Sequence, residues 1–179
     1  MRFARRPAVR CSLIAVVALA LGASARASAE PLAPEVVRLL ESSPYVYIAT
    51  QRKDGTFGAP SEIWFMYDQG AVWMASPTTA WRVRRIHAGR ATARIAVGTK
   101  DGPTFVAKGS FVRDPAVYER LFTTYAKKYP QGWPQYEARF RDGLKDGSRV
   151  LMRYQPIAAP AGRPSPARAA DAKPTATTP

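Results

Sequence analysis

The sequence predicts a mainly β, α+β fold: a six-stranded antiparallel β-barrel with accessory helices. Three observations carry this. About six short runs rich in β-branched and aromatic residues lie between Tyr45 and Tyr154. Most links between them are of hairpin length, several carrying Gly or Asp-Gly, and are not regular helical crossovers. Helical periodicity is confined to the front, middle and back of the region.

Both ends of the 179-residue chain are set apart from that domain. Arg2, Arg5, Arg6 and Arg10 precede an apolar run from Leu13 to Leu21, and Ala27-Ser28-Ala29 has the small–any–small form of a signal-peptidase site. Residues 1–29 therefore read as an export signal, and the expected location is periplasmic or secreted. A membrane anchor needs about 18 apolar residues, so no stable membrane insertion is expected. Arg5-Arg6 leaves the twin-arginine route open beside the general one. Cleavage after Ala29 removes Cys11, the only cysteine, and with it any disulfide or thiol catalysis. Residues 158–179 are Ala-, Pro- and Thr-rich with no large apolar side chain, a composition that predicts a disordered tail. Residues 30–157 remain, the right size for one domain with its own core.

The formal charge is +14, of which five arginines leave with the signal and a net +2 lies in the tail, so about +7 stays on the domain. No zinc spacing, recognition-helix signature or Lys/Arg run accompanies that charge, so nucleic acid is not an expected partner.

Taken in order, Pro34 to Ser42 carries apolar residues at 36, 37, 39 and 40 behind an early proline, which predicts a short amphipathic helix that Pro44 ends. Tyr45 to Gln51 is a strand, and Lys53-Asp54-Gly55 turns the chain. Gly58–Tyr67 and Gly70–Ser76 form a hairpin across Asp68-Gln69-Gly70. A basic helix follows over 79–88, with Val83 and Ile86 inward and Gly89 as its stop. Ala91–Thr99 and Thr104–Val112 are strands about Asp101-Gly102. Asp114-Pro115 opens a helix as N-cap and first residue; its apolar face is Val117, Leu121, Phe122 and Tyr125, and Lys127 and Lys128 close it. After Pro130, Gly132 and Pro134, residues Gln135–Leu144 make a second short helix, and Ser148–Tyr154 is the closing strand.

The start of the 79–88 helix brings free backbone N–H groups, Thr78 and Thr79 hydroxyls and arginines together, which suits a phosphate-bearing cofactor. Arg82 and Arg85 share a face three apart while Arg84 points elsewhere. The two threonines are also placed to cap the helix, a use of the same geometry. His87, the only histidine, has no acid at a telling spacing and reads as a helix-end residue. Trp64, Trp73 and Trp81 read as core or interface aromatics; Trp133, in a Pro-Gly link, reads as a plug or as cover for a neighbouring subunit's pocket. No metal-ligand cluster or nucleophilic triad is evident.

The order Ala-Thr-x-x-x-Asp-Gly-x-x-x-Ala-Pro-x-x-x-Trp-Phe, then a hairpin, then a Thr-rich turn with Arg-Val-Arg-Arg-Ile, resembles the pyridoxamine 5′-phosphate oxidase-like, flavin-reductase-like split β-barrel family over roughly residues 44–155. The resemblance implies a homodimer of six-stranded split barrels with cofactor pockets at the interface, holding FMN or, in other members, a deazaflavin or haem. It implies that Pro60, Ser61, Glu62, Ile63 and Trp64 pass along the isoalloxazine ring, although Glu62 on an alternating strand also has an outward reading. It implies that Met74, Ala75, Ser76, Thr78 and Thr79 lead to the ribityl chain and phosphate. Arg82 stands where the family often has a phosphate-binding lysine, and Arg85 is a second candidate. The substrate arginines and histidine of the true oxidase have no counterpart, so that reaction is not expected. The expected function is an exported FMN-binding oxidoreductase acting on a small-molecule substrate or electron donor. The alternative is a non-catalytic module of the cell envelope that binds a small ligand or haem.

Overall fold

Seven hydrogen-bonded strands form one antiparallel sheet in the computed structural model, which describes residues 31–158, so the export signal and nearly all of the tail lie outside the described residues. In chain order the elements are α1 (Pro34–Ser42), β1 (Val46–Thr50), β2 (Ser61–Ile63), β3 (Met66–Asp68), β4 (Ala71–Pro77), α2 (Trp81–His87), β5 (Thr92–Val97), β6 (Thr104–Val112), α3 (Pro115–Lys128), α4 (Trp133–Asp146) and β7 (Arg149–Pro156). The strand order is β2-β1-β5-β6-β7-β4-β3. Among the described residues no helix is long and apolar enough to cross a membrane.

The seventh strand arises because the expected strand Gly58–Tyr67 is two. β2 pairs with β1, setting Val46 opposite Ile63, and β3 pairs with β4, setting Met66 opposite Trp73. These pieces lie at opposite edges of the strand order, yet only Trp64 and Phe65 separate them in the chain. The segment therefore switches partners and closes the sheet into a barrel. The switch has a hydrogen-bonding cause. Phe65 N–H donates to Tyr129 Oη at 3.0 Å, and Tyr125 Oη donates to Trp64 O at 2.8 Å. Tyr129 Oη donates in turn to Pro44 O at 2.6 Å. Two α3-side tyrosines thus satisfy backbone groups that would otherwise demand a ladder partner.

Alternation along the strands sorts the core into two layers. Val46, Ile48, Phe65, Met74, Ile95, Met152 and Tyr154 fill the barrel interior with Val36 and Leu40 of α1. Trp73, Ala75 and Leu151 face outward and are covered by Leu121, Phe122 and Tyr125 of α3 with Trp133 and Phe140 of α4. Trp133 is buried, its ring 5.7 Å from Phe122 and 5.5 Å from Phe140, so it is a plug within its own chain and not a cover for another subunit.

Local chemistry explains the boundaries. Asp114 accepts from Ala116 and Val117 N–H and caps α3. Asp68 pairs with Ala71 across Gln69 (φ 51°) and Gly70 (φ 68°), the two positive φ values of a type I′ hairpin turn.

Lys128 ends α3 with its Nζ 3.4 Å from the centre of the Phe65 ring, and burial lowers its pKa to about 8 from 10.5. Between these values the unfolded chain holds a proton that the folded one has released, so stability rises with pH there. Thermal unfolding at pH 7.5 and 9.5 is expected to show that rise in the wild type and to lose it in Lys128→Met. Equal slopes in the two proteins would remove Lys128 as its source.

Candidate functional site

The end of β4, the short β2 strand, α2 and α4 meet around Arg82. Its Nη1 donates to Ser76 Oγ at 3.0 Å, and burial holds its pKa below the ordinary arginine value. The ion pairs among the described residues are Arg120–Asp68, Arg141–Glu119 and Arg141–Glu137, so Arg82 has no carboxylate partner there. A half-buried guanidinium without an ion-pair partner can seat an anion.

A cleft of about 370 Å³ opens on one side of Arg82. Glu62, Ile63 and Trp64 form one wall and Ala75, Ser76 and Pro77 another, while Tyr136, Arg139 and Phe140 of α4 with Arg149 of β7 complete it. Glu62, its only acid, accepts a 2.6 Å hydrogen bond from Tyr47 Oη, which raises the tyrosine pKa. Trp64 is held face to face with Tyr129 (4.4 Å, 7°) and edge-on to Tyr136 (5.7 Å, 82°). Gly132 permits this packing, because a Cβ there would lie 2.9 Å from the indole. On the other side of Arg82, a pocket of about 430 Å³ is lined by Thr50, Gly58, Ser61, Trp81 and Arg85.

Of the residues expected from sequence, Glu62, Ile63, Trp64, Ala75, Ser76 and Arg82 line the first cleft, and Ser61 and Arg85 join Arg82 at the second pocket. Four lie elsewhere. Met74 is fully buried in the barrel interior, because alternation turns it inward. Pro60 and Thr79 are exposed and line neither space. Thr78 Oγ1 donates to Ser148 O at 3.3 Å. Neither threonine caps α2: the N-cap is Ala80, with no side-chain bond. Arg85 is engaged by its own fold, donating from Nη1 to Thr50 O and Oγ1, each at 2.7 Å. His87 packs on Phe111 at 4.5 Å in a separate pocket, away from Arg82.

Sequence reasoning missed the wall formed by Tyr136, Arg139, Phe140 and Arg149. Positions 136, 139, 140 and 143 form one stripe of α4, a readable pattern; the arrival of Arg149 beside it is a tertiary fact.

No protein-family model matches the chain, and no curated protein matches it. Solved structures do. General stress protein 26 from Bacillus anthracis superposes with a TM-score of 0.51 at 13% identity, covering 68% of this chain and 86% of that one. A conserved hypothetical protein from Mycobacterium tuberculosis gives 0.52 at 16% identity, covering 68% and 79%. HutZ, the heme storage protein from Vibrio cholerae, gives 0.50 at 19% identity, covering 73% and 93%. The chain has the pyridoxamine 5′-phosphate oxidase-like split-barrel fold. At these identities the likeness is one of fold. In this split barrel the β2–β3 switch and the end of β4 frame the cleft, and Arg82 stands between its two openings.

Proposed function

We propose that the protein is an exported FMN-binding oxidoreductase of the split-barrel class, working as a homodimer on a small-molecule substrate or electron donor. One observation carries the reading: Arg82 is a half-buried guanidinium without a carboxylate partner among the described residues, at the meeting of β2, the β4 end and α2. Its chemistry fits the phosphate of FMN, and Trp64 with Tyr136 offers aromatic surface to a planar ring. Bound FMN supplies hydride or electron transfer. The chain's own residues hold the phosphate, place the ring and shield it from water. A deazaflavin would make similar demands on the ring wall. Haem is the weaker reading, because the one histidine lies outside this cleft.

The homodimer is supported by Trp81, 69% exposed beside the second opening with the Arg84 guanidinium 5.4 Å from its ring centre. Aromatic side chains of that size with adjacent arginine are common anchors of interfaces.

The test is the visible spectrum of the protein purified without chaotrope, followed by titration with FMN. Oxidised-flavin absorbance, or saturable FMN uptake, is the expected result. A colourless protein that takes up neither FMN nor a deazaflavin would instead favour a non-catalytic binding module, and a Soret band would favour haem.

A further inference from the structure

The α4–β7 wall of the cleft carries two more cations that the cofactor reading leaves unused. Arg149 enters from the first residue of β7 and lies across α4, its guanidinium carbon 4.2 Å from the centre of the Phe140 ring. Its path exists because residue 143 is glycine: a Cβ there would sit 2.8 Å from both Cγ and Cδ of Arg149. Arg139 lies beside it, one helical turn before Gly143, and lines the same cleft. Burial first, and the neighbouring Arg139 charge second, hold the Arg149 pKa below its ordinary value. Neither arginine has an ion-pair partner or a side-chain hydrogen bond among the described residues. Glu62, the cleft's only acid, is bonded to Tyr47.

Arg149 is therefore held in a concave, aromatic-walled space by a glycine gap and a ring face, close enough to the exposed Arg139 for the two charges to repel, and neither has a carboxylate within ion-pair distance among the described residues. Such a pair is relieved by an anion that reaches both guanidinium groups. We infer that Arg139 and Arg149 form a second anion seat, distinct from Arg82, that takes the carboxylate or phosphate of a small aromatic acid and leaves the Trp64 and Tyr136 surface to the flavin ring. Assigning that acid the role of substrate rests on the cofactor reading above; the seat itself does not.

The test titrates benzoate and phenyl phosphate, with benzyl alcohol as the neutral control, into FMN-free and FMN-saturated protein by calorimetry. Saturable binding of at least one acid is expected, weakened about tenfold or more in Arg139→Gln and in Arg149→Gln. Gly143→Ala leaves every charge in place yet displaces Arg149, and is expected to weaken the acid as well. Because Arg139 is exposed on α4, its variant keeps the test sound if Arg149→Gln folds poorly. No saturable acid binding, equal binding of benzyl alcohol, or full affinity in both wall variants overturns the inference. So does a loss of acid binding confined to Arg82→Gln, which would put the anion at the first seat. Failure of FMN uptake defeats the cofactor reading alone, and the FMN-free titration still decides the second seat.

Discussion

Replacing Arg82 with Glu is expected to weaken FMN binding at least about 100-fold, because it removes a charge-assisted contact to a dianion and puts a like charge in its place. Each such contact contributes about 1.5–3 kcal/mol, and every 1.4 kcal/mol is tenfold in affinity. Arg38→Glu is the matched control: it makes the same charge change on an exposed side chain of α1 that lines neither space beside Arg82. Arg82→Lys should retain part of the affinity, since an ammonium keeps the charge but loses the planar fork. The measurement is flavin absorbance remaining after exhaustive dialysis, with circular dichroism to confirm that each variant is folded. Arg82→Glu protein that keeps its flavin as well as the wild type would put the phosphate elsewhere. Equal losses in the Arg82 and Arg38 variants would make the effect one of net charge and not of contact.

The legible parts of this protein are those decided within a few residues. Pro34 and Pro44 bracket α1, Asp114-Pro115 caps and opens α3, and Gln69-Gly70 supplies the two positive φ values of the hairpin. The inward residues of β5 and β7 follow from period-two alternation. What escaped the sequence is decided at a distance. Whether Trp64-Phe65 continues a strand depends on hydroxyls from Tyr125 and Tyr129, more than sixty residues later. Thr78 was a natural cap for α2, but the chain returning at Ser148 draws it away. For the cleft the division is similar. Its β2 and β4 walls were readable as one hairpin-linked stretch, with Arg82 three positions beyond Thr79. Its fourth wall needed α4 and β7 to meet, and a glycine whose purpose shows only when Arg149 lies across it.

The same long-range dependence makes the strand switch the place where one side chain matters most to stability. Phe65→Ala is expected to cost about 3–5 kcal/mol, the range for truncating a buried phenylalanine. Phe65 is fully buried in the barrel cluster, and its loss also removes the ring beneath the Lys128 ammonium. Against a domain stability of about 5–15 kcal/mol, this lowers the melting temperature by roughly 10–20 °C. Tyr129→Phe separates packing from hydrogen bonding at the same place. It keeps the ring stacked on Trp64 but strands the Phe65 N–H and Pro44 carbonyl, a loss of about 1–3 kcal/mol. Both variants loosen the join between β2 and β3, so both should weaken ligands in the cleft whose wall β2 forms, beyond what a destabilising change on the far side of the barrel does. Val97→Ala, on β5 away from the cleft, supplies that comparison in urea unfolding and FMN titration. A Phe65→Ala protein that loses less than about 1 kcal/mol would mean that the site collapses freely around the missing ring. The two tyrosine hydroxyls, and not the ring, would then be what turns the strand.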